Sequence, residues 1–354
     1  MKNIYLIFSI LIFFSCKKGN QAVVTPQTTN VTPGLDIYAC GYYYEYGGAP
    51  DYPSHYRAVY WKNGQYYPLS DTPMGIYSAA YGIVVAQNHI YVAGEFDKHP
   101  CYWMDGQKIT LNDAYTGRAK GLVIKNGVLY IMGDMQPDPN YAYASYLWIV
   151  KSLNDVQQIE LGDVLSIPYD IFTDGTDIYI SGEYHYRACY WVWNGTQVQK
   201  YELTNANMNE GKAKAIAKYQ LQIYTAGLFL PDVIGKYYAG FWINDSFNSS
   251  GLEPAFAQYR DMAFSPTGEM YLVGLKNTGT PGDYNAMVWK GAVFTPVQLS
   301  ANYSLANKIL FDGNDYYVAG SENYKACYWK NGAEIKLLMS DVNSYATDIF
   351  LVHN

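Results

Sequence analysis

Cysteine is scarce, with five in 354 residues, and no two stand in the CxxC spacing of zinc or redox sites. Charge is sparse as well. Only 16% of residues are charged, and the formal net charge is −7, so no basic excess exists to neutralise phosphates and nucleic acid is excluded as a main partner. The five histidines (His55, His89, His99, His185, His353) form no HxxxH pair, and GxSxG, P-loop and GxGxxG motifs are missing. No metal or cofactor is therefore expected. What the chain has in excess is aromatic: 39 Tyr, 13 Phe and 8 Trp, far from a disordered composition.

Met1 to Cys16 has one basic residue, Lys2, then an apolar run from Ile4 to Phe14, then Ser15-Cys16. This is the pattern of a secretory signal. Its 11 residues fall short of the roughly 20 that span a bilayer, and no transmembrane helix is expected. A small residue directly before Cys resembles a bacterial lipobox, although Phe13 departs from its usual aliphatic residue. That resemblance implies a lipidated Cys16 and a membrane-anchored protein of the bacterial cell envelope, at the periplasmic or outer face of the outer membrane. The alternative is an ordinary cleaved signal. Residues 16–34 include the Thr-, Gln- and Pro-rich stretch Asn20 to Pro33 and read as a tether; residues 1–15 are the signal, and the folded region is 35–354.

Across the folded region a pentapeptide recurs seven times: Ile37 to Gly41 (IYACG), Ile90 to Gly94, Leu129 to Gly133, Ile178 to Gly182, Ile223 to Gly227, Met270 to Gly274 and Tyr316 to Gly320. Tyr is second in each, and the glycines are spaced 53, 39, 49, 45, 47 and 46 residues apart. Each copy runs on to a second strand ending in Trp: Trp61, Trp103, Trp148, Trp191, Trp242, Trp289 or Trp329. Ala58 to Gly64 and Ala326 to Gly332 close on Asn-Gly, the pair that tolerates positive φ in a tight hairpin. A short strand follows, ending near residues such as Leu69 or Leu203, and another precedes the later pentapeptides, as in Ala80 to Val85. Four strands per repeat make the blade of a β-propeller. The 320 residues from Leu35 divide into seven units of about 46, within the ~40–50 of common blades. The expected fold is all-β, a seven-bladed β-propeller.

The first copy lacks an inner strand, and Ala346 to Phe350 at the other end supplies a matching one. The C-terminal strand is thus expected to complete blade 1, leaving no open sheet edge.

The element in Phe264 to Gly274 (FSPTGEMYLVG) is similar to NHL-type repeats, and the pairing of YVAG with YWKNG resembles a repeat of uncharacterised bacterial surface lipoproteins. This implies a fold and a location, but no reaction.

Recurrence in every copy argues that the Tyr and Trp are packing residues. The same reading applies to Tyr56-Arg57, Tyr186-Arg187, Tyr284-Asn285 and Tyr324-Lys325, taken as repeated blade contacts with snorkelling charges. Cys101, Cys189 and Cys327 occupy one place in three blades and are expected to be buried thiols, with a pair to Cys40 left open. Asp174 with Asp177, and Asp312 with Asp315, lack calcium-loop spacing and read as turns.

In a propeller the loops after the second strand share a face with those entering the inner strand, and that face usually binds. Here the first class is long: Tyr42 to Arg57, Asp134 to Ser145, Leu228 to Tyr238 and Leu275 to Asn285, carrying Tyr43, Tyr44, Tyr46, Tyr52, Tyr141, Tyr143, Phe229 and Tyr284. Aligning the inner strands places Tyr81, Lys120, Tyr169, Lys214, Arg260, Asn307 and Thr347 at one position near the mouth, and the first six are the candidate ligand-binding residues. Two function classes follow. One is a noncatalytic binding module or scaffold that recognises a glycan, peptide or protein. The other is a polysaccharide-active hydrolase or lyase using Glu45, Asp51, Asp134 or Asp283, which would need two carboxylates at a set separation.

Overall fold

The computed structural model describes residues 34–354 apart from 46–54, 70–75, 139, 141, 204–207, 232–236, 254–256, 281, 292–293 and 340–341. The leader, the tether with Cys16, and Tyr46, Asp51, Tyr52 and Tyr141 lie outside the described residues. The rest forms 28 strands in seven antiparallel sheets of four. The sheets are the blades of a seven-bladed β-propeller. Their inner strands are Ser344–His353 in blade 1, then Ser78–Ala86, Thr116–Lys125, Ser166–Thr173, Met208–Tyr219, Ala257–Phe264 and Ser304–Asp312 in blades 2 to 7. Each inner strand pairs with the strand carrying the Tyr pentapeptide.

Closure occurs where the sequence places it. Ser344–His353 pairs antiparallel with Leu35–Glu45, Leu35 opposite His353, and the Asn354 amide reaches the Gly34 carbonyl at 2.9 Å. Seven buried clusters fill the seven gaps between neighbouring blades, including the gap between blades 7 and 1. Each cluster holds one of the repeated tryptophans, and all seven are 0% exposed. A large ring is needed there because two radiating sheets diverge as they leave the axis, and the interior of a protein tolerates few voids.

Polar stitches repeat with the same logic. Ser78, Ser166, Ser304 and Ser344 open inner strands, and each Oγ accepts the amide of a residue in the preceding blade: Ala58, Ser145, Ala286 and Ala326, at 2.8–3.0 Å. The Asn-Gly turns are positive in φ, 50° at Asn63 and 82° at Gly64. The Asn63 Oδ1 accepts the Ile37 amide at 2.9 Å, as Asn331 does from Tyr316 and Asp105 from Ile90. The turn residue therefore caps the strand that begins the pentapeptide. Cys40, Cys101, Cys189 and Cys327 are free buried thiols.

The pentapeptide glycine is explained by close approach. A Cβ at Gly320 would stand 1.8 Å from the Leu305 carbonyl oxygen of the inner strand, and at Gly227 it would stand 1.9 Å from that of Lys212. The same contact recurs at the other five glycines, from 1.8 to 2.5 Å. Opposite each glycine the inner strand carries a β-bulge, one extra residue that breaks the register. The missing side chain makes room for the bulge, and a bulge re-aims the side chain at its crest.

Candidate functional site

The residues skipped by the register at the seven bulges are Tyr81, Lys120, Tyr169, Lys214, Arg260, Asn307 and Thr347. All seven line one central cavity of about 700 Å³. The position picked by aligning the inner strands is thus a structural one: the crest of a bulge.

The ring is not uniform, because its neighbours differ. Tyr81 donates its hydroxyl to Glu95. Lys120 pairs with Asp134 at 2.5 Å and donates to the Pro168 carbonyl at 3.3 Å. Tyr169 hydrogen-bonds Glu183, and that carboxylate also meets Lys212 at 3.3 Å. Glu95, Asp134 and Glu183 each directly follow a pentapeptide glycine. In blades 5, 6, 7 and 1 the same place holds Leu228, Leu275, Ser321 and Tyr42. Lys214 there lies 3.1 Å from the centre of the Tyr169 ring. Arg260 donates to Asn307 Oδ1 at 2.5 Å, and Asn307 in turn donates to the Ala346 carbonyl at 2.7 Å. Thr347 donates its Oγ1 to the carbonyls of Cys40 and Ala80, both at 3.0 Å.

Burial pushes the Lys214 ammonium well below its ordinary range, and the nearby cations Lys120, Lys212 and Arg260 push it the same way. Burial also lowers Lys120 and Arg260. Glu95 is raised by burial, against the pull of its Tyr81 hydrogen bond. Asp134 is fully buried and answers both Lys120 and Arg118, the latter at 3.1 Å.

One residue further along the inner strands lies a second charged layer. Asp170 Oδ2 accepts the Ile216 amide at 3.0 Å, Asp261 Oδ2 that of Ile309 at 2.7 Å, and Asp348 Oδ2 that of Ile83 at 2.9 Å. Each bond runs from one blade to the next and satisfies an amide on the innermost strand, whose outer neighbour is the cavity. Lys308 holds the same place in blade 7 and bridges Asp170 at 2.8 Å and Asp261 at 3.2 Å. Burial raises Asp261, and it raises Asp348 to about 6, in both cases against the attraction of Lys308. This layer escaped the sequence reading. Its signal was the residue after each bulge position, where Asp170, Asp261, Lys308 and Asp348 stand against Gly82, Gly121 and Ala215.

The rim also differs from expectation in three respects. The strands run further into the long connections, to Glu45, Gln136, Pro231 and Asn277, so Tyr43 and Tyr44 are strand residues and Phe229 is 6% exposed. Tyr186 and Tyr324 are not buried blade contacts. They occupy the second place of two-residue turns, φ 65° and 62°, and are 54% and 44% exposed, because a hairpin of matching twist needs left-handed backbone there. The candidate carboxylates are scattered. Glu45 pairs with Arg57 at 2.7 Å, Asp283 accepts from Thr278 Oγ1 at 2.8 Å, and Asp134 is fully buried on a strand beside Lys120 instead of in a loop. Asp174 closes its turn as expected, accepting the amides of Thr176 and Asp177 and a proton of Lys218.

Tyrosines cluster beyond Arg260, outside the lining of the cavity. The Tyr42 ring meets Tyr56 at 4.9 Å and Tyr345 at 5.3 Å, and Tyr303 stacks on Tyr324 at 4.7 Å. Tyr42, Tyr284 and Tyr303 are near enough to act electrostatically on Arg260.

No family model matches the chain, and no curated protein sequence matches it significantly. Solved structures that resemble it in fold include YjhT, at 8% identity over 77% of this chain and 96% of that one, with a TM-score of 0.46. The Dos1 propeller is 13% identical over 86% and 82%, TM-score 0.46. Pyrococcus horikoshii acylaminoacyl peptidase is 11% identical over 88% and 51%, TM-score 0.49.

Proposed function

We propose that the protein is a noncatalytic binding module, held at the bacterial cell envelope through a lipidated Cys16, whose loop-rich face receives a glycan, peptide or protein partner. The observation that supports it most is the ring of bulged residues. Seven inner strands present side chains of five kinds to a cavity of about 700 Å³, within the roughly 300–1,000 Å³ of small-ligand pockets. The likeness of the repeats to those of bacterial surface lipoproteins supports the location. Mass analysis of a Cys16 peptide tests the anchor: an acyl mass increment is expected, and an unmodified or removed Cys16 rejects it.

Binding and turnover are separated by a glycan and peptide array followed by assay of reducing-sugar release from each ligand bound. Retention without turnover, weakened by changes at the bulge ring, is the expected result. Binding insensitive to Lys120, Lys214 and Arg260 together would place the site elsewhere. A second reading, carboxylate catalysis on a polysaccharide, has one observation in its favour. Glu95, raised by burial and bonded to Tyr81, lies at the mouth near the doubly paired Asp134, and neighbouring carboxyls in unlike surroundings suit acid and base roles. Sugar release lost in Glu95→Gln would favour it.

A further inference from the structure

The mouth is divided into two halves by charge. In blades 2 to 4 every ring residue faces a carboxylate of its own blade, Glu95, Asp134 or Glu183. In blades 5 and 6 the ring residues are cations, and leucines replace those carboxylates. Around the ring and its direct partners, the five cations Arg118, Lys120, Lys212, Lys214 and Arg260 meet only three acids. Lys214 has the Tyr169 ring face as its contact, and Arg260 has an amide oxygen and phenols. Among the described residues neither forms an ion pair.

Two adjacent desolvated cations are costly unless paired. The protein nevertheless sets them side by side, on strands fixed by bulges and interblade bonds, at the wall of an accessible cavity. The missing partner is an anion from outside. An arginine fork fits the two oxygens of a carboxylate, and the lysine beside it adds a second charge. The surroundings of Arg260 are phenolic: Tyr42, Tyr284 and Tyr303 lie near it and carry flat apolar faces with hydroxyls at their edges. That combination matches a pyranose ring, which has an apolar C–H face and a polar rim.

We propose that Lys214 and Arg260 form a carboxylate subsite for an acidic sugar, a uronic acid unit whose ring lies against the tyrosines beside Arg260 in blades 6, 7 and 1. The assignment rests on the binding-module reading and sharpens it to one half of the mouth and one ligand class.

Calorimetric titration with tetragalacturonate, and with the same tetramer fully methyl-esterified, tests the charge requirement on one scaffold. The acid is expected to bind, and the ester at least 10-fold more weakly. The double variant Lys214→Met with Arg260→Gln is expected to lose at least 10-fold for the acid. A second variant leaves both cations in place: Leu228→Glu puts in blade 5, at a buried position, the carboxylate that blades 2 to 4 possess, and Leu228→Gln controls for the lost leucine. Leu228→Glu is expected to match the double variant in lost binding while melting higher than Leu228→Gln, because its carboxylate occupies the subsite internally. Equal affinity for acid and ester, or unchanged acid binding in the double variant, overturns the carboxylate subsite while leaving the binding face intact. No acid binding by the wild type overturns the acidic-sugar assignment, and a Leu228→Glu melt no higher than Leu228→Gln overturns the uncompensated pair. Failure of the broader reading is distinct: nothing on the array binds, or binding maps away from the ring.

Discussion

The gaps between blades and the mouth of the cavity are built by the same seven blades, yet they obey opposite rules. Each gap receives one fully buried tryptophan at the same place, whereas the mouth receives Tyr, Lys, Tyr, Lys, Arg, Asn and Thr in turn. In the gaps packing decides, and the geometry of equal wedges leaves one good solution. At the mouth packing does not decide, because the bulge lifts the side chain out of the sheet and into the cavity. A repeat protein can therefore keep its wedges alike and still vary its lining residue by residue.

The largest test of that contrast removes a wedge's inner strand. Deleting residues 345 to 354 strips blade 1 of Ser344–His353 except its first residue and opens the seam to blade 7. Cooperative unfolding should be lost in calorimetry, and an unchanged melt would contradict closure. Next in size, Trp103→Ala empties the gap between blades 1 and 2 and should cost about 3–5 kcal/mol by denaturant titration, a large share of a typical ~5–15 kcal/mol. Gly320→Ala drives a methyl against the Leu305 carbonyl oxygen and should cost about 1–3 kcal/mol. A neutral result there would mean that the bulge does not need the glycine.

These gap and bulge features were legible in the sequence because they repeat. Seven copies of Tyr-x-x-Gly and Trp reveal the wedge, the unmatched strand at Ala346 to Phe350 reveals the closure, and alignment reveals which inner-strand residue lines the mouth. What was not legible depends on a residue's partner and not on its period. Lys120 and Lys214 look alike in the alignment, and they differ only because Asp134 follows one glycine and Leu228 another. The lysine bridge from Lys308 to Asp170 crosses between blades 4 and 7, and no local pattern encodes a contact across a ring. Tyr186 and Tyr324 misled because their Tyr-basic-Ala pattern matches Tyr56, although the connection that contains them is two residues long and imposes turn geometry.

The inner charged layer gives a smaller, pH-dependent effect. Asp348 titrates near 6 in the folded protein, raised by burial, against roughly 3.9 when unfolded. The folded state therefore takes up this proton first as pH falls, and its ionisation penalty is present above pH 6 and relieved between about 6 and 4. Asp348→Asn keeps an acceptor for the Ile83 amide but cannot ionise. Its melting temperature relative to wild type should thus be higher at pH 8 than at pH 4.5. A difference constant across that range would count against the raised carboxyl.

The smallest expected effect on stability is at the mouth, and its sign is the informative feature. Lys214→Met keeps an unbranched stem against the Tyr169 ring and replaces the ammonium by a thioether that also favours aromatic contact. The lost cation–π attraction is on the order of 1–2 kcal/mol, and the relieved desolvation and repulsion from Lys120, Lys212 and Arg260 offset it. The variant should melt within about 0.5 kcal/mol of wild type or above it at pH 7, unlike Trp103→Ala. Because the folded lysine is held below its ordinary value, the wild-type penalty operates at neutral pH and fades as the lysine deprotonates. The gap between the two melts should therefore move in favour of the wild type as pH rises towards 10. A loss of several kcal/mol at pH 7 would make Lys214 a structural residue like the tryptophans, and the distinction between gap and mouth would fail at the blade where it matters most.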